Sequence, residues 1–324
     1  MARGKRYWLI GMFSFALFVS GCSQSSGGSN GGGETAEIPT SAPQMRTVKD
    51  AAGEVSIPVN PTRIADISGS TEELLALGIE PVLSGNTQYE SPGELTPILQ
   101  KELGSKVSVA GWFQTEVSIE AVAAANPDVI LAGPTQEKIY EQLSKIAPTV
   151  RVPYGFNAFR DRFVFIADTF DKKAEMDAWL KTYDATAKDW HDQIVANTGE
   201  ATFAVIEAAA KEIRIYAKTG VADMIYSDIK LPKAAGIPEP DPWGGKVTSL
   251  EALASLNPDH VILLADSDQN VLEQSQIWNH IKAKQDGKVY RITTKQSYNE
   301  AFFALGKKAM LDQIASEIVK KNQK

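Results

Sequence analysis

Ser118-Ile119-Glu120-Ala121-Val122-Ala123-Ala124-Ala125-Asn126-Pro127-Asp128-Val129-Ile130-Leu131 returns 131 residues later as Ser249-Leu250-Glu251-Ala252-Leu253-Ala254-Ser255-Leu256-Asn257-Pro258-Asp259-His260-Val261-Ile262. Each copy reads as a serine-capped helix, an Asn-Pro-Asp turn and a buried strand. A tryptophan stands six residues before each serine, Trp112 before Ser118 and Trp243 before Ser249. Two α/β units of one kind in one chain predict two lobes with a cleft between them, and the cleft is where function belongs.

Working outward from the repeat, strand and helix patterns alternate on both sides. Arg63 to Ile67 is an apolar strand, and a helix opens after it at Ser70-Thr71-Glu72, with Leu74, Leu75 and Leu77 on its buried side and Gly78 at its end. Val107 to Ala110, Thr149 to Val152, Ala201 to Ala208 and Gly287 to Ile292 are further strands, and Ile213 to Ala217 reads as the partner in a hairpin. The alternation predicts mostly parallel sheets covered by helices, an α/β fold of two Rossmann-like lobes.

Ala158 to Ala196 contains neither proline nor glycine, and breaks around Thr169-Phe170-Asp171, where Thr169 or Asp171 is placed to cap a second helix. Beyond the break Met176, Trp179, Leu180, Tyr183, Ala187, Trp190 and Ile194 keep helical spacing on one face. A helix of about 25 residues would extend roughly 38 Å, enough to run along both lobes. Trp179, Trp190 and Trp278 are expected to be packing residues.

The amino-terminal end reads differently. Arg3, Lys5 and Arg6 precede an apolar run from Tyr7 to Val19, too short for a stable membrane span, and small residues lead to Cys22, the only cysteine. This resembles a lipoprotein signal cut before a lipidated cysteine. Ser23 to Gly33 is a Ser/Gly/Asn-rich leash. The expected organisation is a signal peptide at 1–21, a linker at 22–44, an N-terminal lobe at 45–157, an interlobe helical segment at 158–198 and a C-terminal lobe at 199–324. Forty acidic residues against 33 basic ones, a net charge of −7, disfavour nucleic acid as a partner.

Together the lipobox, the leash, Pro61-Thr62-Arg63-Ile64, Thr71-Glu72-Glu73-Leu74-Leu75-Ala76-Leu77-Gly78, the doubled Asn-Pro-Asp element and the long middle helix resemble the substrate-binding lipoproteins of bacterial iron–siderophore ABC importers. The resemblance covers roughly Arg46 to Val319. It implies a monomeric extracytoplasmic protein, lipid-anchored through Cys22, that carries a ferric siderophore to a membrane permease and has no intrinsic cofactor. Relatives on the same scaffold bind cobalamin or haem, which is the alternative cargo. The resemblance also implies that an acidic side chain on each lobe's surface docks a permease arginine. Glu72 matches the first by position, and Asp223 the second, with Asp228 as substitute.

For the ligand, the strand-end loops offer Trp112, Phe113, Gln114, Tyr154, Phe156, Trp243 and Tyr298, with Arg214 and Tyr216 on the hairpin of the second lobe. Aromatic walls with few cations suit a near-neutral ferric hydroxamate; a tris-catecholate of about three negative charges would need a basic cluster. Gln114 stands where hydroxamate-binding relatives commonly carry a basic residue. The three histidines, His191, His260 and His280, are too scattered in the predicted elements to make a bare-metal site. No Gly-x-Ser-x-Gly or His-Glu-x-x-His motif suggests an enzyme.

Overall fold

In the computed structural model, residues 44–323 are described; Cys22, the signal peptide and the leash lie outside them. Two five-stranded sheets form the two lobes. In the N-terminal lobe, strands Ile64–Ile67, Leu83–Ser84, Ser108–Val109, Val129–Ala132 and Thr149–Arg151 are all parallel, with the first strand central and the order 3-2-1-4-5. In the C-terminal lobe, Phe203–Ala208, Ile213–Tyr216, Gly245–Thr248, His260–Leu264 and Val289–Ile292 take the same order. There the second strand runs antiparallel, because a short hairpin rather than a helical crossover joins it to the first.

Side chains alternate across each sheet. Ile64, Val129, Leu131 and Val150 face Phe163, Ile166 and Met176, whereas Ala65, Ile67, Ile130 and Ala132 face Val122 and Leu143. In the second lobe Phe203, Val205, Ile262 and Leu264 face the two long helices, and Ala204, Ile206, Val261 and Leu263 face Leu253 and Trp278. Sheets buried on both faces explain why these strands read as continuous apolar runs.

The repeat has a shared physical basis. Ser118 and Ser249 each cap their helix by accepting a hydrogen bond from the backbone N–H three residues on, at 3.1 and 3.2 Å. Asn126 and Asn257 both take left-handed backbone, φ 45° and 37°, which turns the chain out of the helix. Asp128 then accepts from the backbone N–H of Thr62 at 2.7 Å, and Asp259 from that of Thr202 at 2.9 Å. Thr62 and Thr202 each lead into the central strand of their lobe, so the aspartate fixes the register of the neighbouring parallel strand in both halves.

A helix of 26 residues, Lys173–Thr198, joins the lobes. Met176 packs with the first lobe's core and Tyr183, Ala187 and Ile194 with the second's. Its start differs from expectation. Asp171 adopts left-handed backbone, φ 55°, closing the preceding helix Phe159–Thr169, and neither it nor Thr169 caps the long one, whose N-cap position is Lys172 without a side-chain bond.

The described chain ends in two helices, Thr294–Glu300 and Ala304–Asn322, with Phe303 extended between them. That break frees the Phe302 carbonyl, which accepts from Arg162 at 2.8 Å. The long helix is therefore joined by further ties between the lobes: Glu72 to Gly306 N–H at 2.7 Å, Arg162 to Phe302, and Tyr89 N–H to Asn299 at 2.9 Å. The hairpin Met45–Lys49/Glu54–Pro58, the helix Pro97–Leu103 and the strand Gly245–Thr248 carry no clear pattern in the sequence.

Candidate functional site

Between the lobes lies a cavity of about 420 Å³, walled by Tyr89, Trp112, Gln114 and Phe156 from the first lobe and by Glu207, Arg214, Tyr216, Trp243, Tyr298 and Phe302 from the second. It opens beyond the carboxyl ends of strands in both sheets, where loops of α/β folds converge on ligands. Small-molecule sites commonly span roughly 300 to 1,000 Å³.

Each indole is held by its own loop. Phe113, next to Trp112, bonds the Gly85 carbonyl through its N–H at 3.0 Å, and its own carbonyl accepts from Gln136 Nε2 at 2.7 Å. Trp243 is clamped on two sides: its N–H donates to Asp241 at 2.8 Å and its carbonyl accepts from Thr219 Oγ1 at 2.9 Å. Gly244, at φ 90°, lets this loop press against Lys218 and Thr219, where a Cβ would collide with their atoms. Trp243 is 63% exposed, so its ring is free to cover a guest.

Aromatic contacts cross the cleft floor. Tyr89 meets Trp112 edge-on at 5.1 Å between ring centroids and stacks on Tyr298 at the same distance; Phe156 stacks on Phe302 at 3.8 Å. Charges are few. Arg214 forms an ion pair with Asp241, and Tyr216 donates its hydroxyl proton to Glu207 at 2.7 Å. Burial raises the pKa of Glu207 despite that bond, and burial together with the adjacent carboxylate pushes the Tyr216 phenol well above its ordinary value.

Of the residues singled out in the sequence, Trp112, Gln114, Arg214, Tyr216, Trp243 and Tyr298 line one cavity. Phe113 and Tyr154 are not among its walls. Phe113 is fully buried; its ring lies so close to Gly69 that a Cβ there would approach to 2.5 Å, and it packs edge-on against Phe303. Tyr154 packs against Phe165. Phe156, from a strand-end loop, and Tyr89 are also among the walls; Glu207 and Phe302 join them without any motif to mark them, although a glutamate in the otherwise apolar strand Phe203–Ala208 is a signal within the sequence.

Neither expected docking carboxylate is a free surface charge. Glu72 is fully buried: the helix Thr71–Ala76 slots beneath the C-terminal helix, and Glu72 accepts the Gly306 N–H in that helix's first turn. Desolvation pushes its pKa up to about 8. Beside it Glu73 pairs with Arg162 at 2.7 Å, both without solvent exposure. Asp223 is half-buried and neutralised by the buried Lys307 at 2.8 Å. The Asp228 carboxylate is almost wholly covered, bonded to Arg160, Lys307 and Tyr183. A helix start ordinarily leaves its acids in solvent, but here the lobe–lobe seam covers that start.

Trp278 is buried and Trp179 and Trp190 pack against the core, Trp190 donating to Asp312 at 2.8 Å. Among the described residues no three His, Cys, Asp or Glu side chains come together as a metal site. His260 is buried against Tyr290, its pKa lowered to about 4 mainly by desolvation. No helix among them is long and apolar enough to cross a membrane.

Comparison with known proteins gives the same outline. The family model described as periplasmic binding protein matches residues 67–295. A probable siderophore-binding lipoprotein of Bacillus subtilis, YfiY, is 26% identical over 89% of this chain and 90% of its own length. The iron(3+)-hydroxamate-binding protein YxeB of the same organism is 25% identical over 88% of each chain. Among solved structures, unliganded FhuD2 of Staphylococcus aureus superposes with a TM-score of 0.70 and 18% identity, covering 81% of this chain and all of FhuD2, a likeness of fold.

Proposed function

The chain belongs to the periplasmic binding protein family, a non-enzymatic class of transport proteins, and from that premise we propose that it captures a ferric siderophore of hydroxamate type between its lobes and delivers it to an ABC permease. The observation that carries this reading is the meeting of Trp112 and Trp243, the equivalent tryptophans of the two repeat units, on one cavity. A guest there is gripped by both halves of the molecule. The cavity wall is aromatic, its arginine is already engaged by Asp241, and no lysine lines it among the described residues. A chelate of three negative charges would leave water for a site with no free positive charge, which opposes binding. A near-neutral trishydroxamate, with an apolar backbone and carbonyl oxygens around the metal, matches the rings and the polar groups of Gln114, Asn157 and Ser297. YxeB, whose name gives iron(3+)-hydroxamate as its ligand, supports the choice.

Delivery needs a surface that the permease can read on both lobes. The repeat supplies a corresponding pair: Glu120 and Glu251 are exposed, sit in the first turn of their capped helices, and come eight residues after the cleft tryptophans in each half. We assign docking to this pair in place of Glu72 and Asp223. Anchoring through a lipidated Cys22 would hold the protein beside its permease.

Titrating the purified soluble chain with ferric trishydroxamate, ferric tris-catecholate and ferric citrate, monitored by tryptophan quenching, tests the ligand class. Saturable quenching by the hydroxamate at micromolar concentration, with weaker response to the polyanions, is expected. Preference for the catecholate would overturn the hydroxamate reading.

A further inference from the structure

The charged groups on the cleft wall do not balance. Glu207 and Arg214 face each other in register on neighbouring antiparallel strands, a pairing that would ordinarily make a cross-strand ion pair. Arg214 instead turns to Asp241, the residue that also holds the Trp243 backbone. Glu207 is left with the Tyr216 hydroxyl, a neutral donor, as its hydrogen-bond partner. Two carboxylates therefore share one guanidinium on this wall. Arg214 still acts on Glu207 through space, opposed by the nearby carboxylates of Asp266 and Glu212, and Tyr298, which reaches the Tyr216 hydroxyl, brings no charge.

The remaining surroundings favour a cation at the same place. Tyr216, Tyr298, Trp112 and Trp243 offer ring faces and edges around the cavity, and ring faces attract cations. We propose that Glu207 is a specificity-determining residue of the cleft and that the cargo it selects is a ferric chelate bearing a cationic arm, an alkylammonium, on an otherwise neutral metal-binding core. This deepens, and rests on, the capture reading given above. The carboxylate receives the ammonium, the rings flank it, and the neutral chelate fills the aromatic remainder of the cavity.

Two ferric trishydroxamates that differ in one group test it: ferrioxamine B, with a free terminal ammonium, and its N-acetyl derivative, in which that charge is removed. Tryptophan quenching gives both Kd values for the wild-type chain and for Glu207→Gln. The wild type is expected to bind the ammonium form roughly tenfold tighter or more, the range of a partly desolvated charge pair with cation–π support. Glu207→Gln is expected to bring the two affinities within about twofold of each other. The preference of the wild type should also shrink as salt is raised, a readout that needs no variant. Equal wild-type affinity for the two chelates, or a preference that survives Glu207→Gln, overturns the assignment of Glu207 while leaving hydroxamate capture standing. Failure of both chelates to bind overturns the capture reading itself.

Discussion

Replacing Glu72 by glutamine should make the protein more stable in mild alkali, and the size of the effect comes from its burial. The carboxyl is fully buried, with one oxygen bonded to Gly306 N–H and the other without a partner. Desolvation, aided by the neighbouring Glu73 and Glu300, raises its pKa from 4.5 to about 8. In the unfolded chain the group loses its proton near 4.5, whereas in the folded chain it keeps it to about 8. Between those values folding takes up a proton, so stability falls as pH rises and the loss is complete above the folded pKa. At about 1.36 kcal/mol per pH unit, the full interval amounts to roughly 5 kcal/mol. Glutamine keeps the acceptor for Gly306 and never ionises, so the variant should escape this decline. Urea unfolding at pH 5, 6, 7 and 8.5, monitored by tryptophan fluorescence, should show the difference between variant and wild type growing by roughly 3 to 5 kcal/mol across the series. Buried carboxyls not coupled to Glu72, such as Glu207, contribute equally to both proteins and cancel. Parallel pH profiles would refute the reasoning and return Glu72 to the solvent-exposed role its sequence position suggests.

The neighbouring ion pair gives a second test: Glu73→Ala should destabilise by about 3 to 5 kcal/mol through an uncompensated buried guanidinium, and Glu73→Leu combined with Arg162→Met should recover part of that loss in the same urea assay. For docking, Glu120→Ala with Glu251→Ala should leave the Kd for ferric trishydroxamate within about twofold in a fluorescence titration. The same double variant should depress siderophore-dependent iron uptake in cells, and unchanged uptake would remove these carboxylates from the docking surface.

The repeat makes the architecture legible because its information is local. Serine caps, left-handed asparagines and strand-pinning aspartates act within a few residues of themselves or on the adjoining strand, and they act alike at Asn126 and Asn257 or Asp128 and Asp259. The cleft is legible in part for the same reason, since Trp112 and Trp243 are marked by their spacing to the repeat. Burial by distant chain is what local patterns do not carry. Glu72 looks like a surface helix start until the segment around Gly306, more than two hundred residues later, closes over it. Phe113 is adjacent to a cleft residue, yet the turn it occupies sends its ring inward against Gly69 and Phe303. Tyr89 has no periodicity to mark it; its place is set by Tyr298 and Asn299 across the seam. The break between the last two helices at Phe303 likewise answers to Arg162, a residue of another element.

Capture between the lobes requires both halves of the molecule to hold one guest. Isothermal titration of a ferric trishydroxamate into the wild type, Trp112→Ala and Trp243→Ala measures this directly. One site per chain is predicted, with each substitution weakening binding by roughly ten- to a hundredfold, the range for losing one aromatic wall. An unchanged Kd in either variant would mean that a single lobe carries the ligand, and would contradict the account.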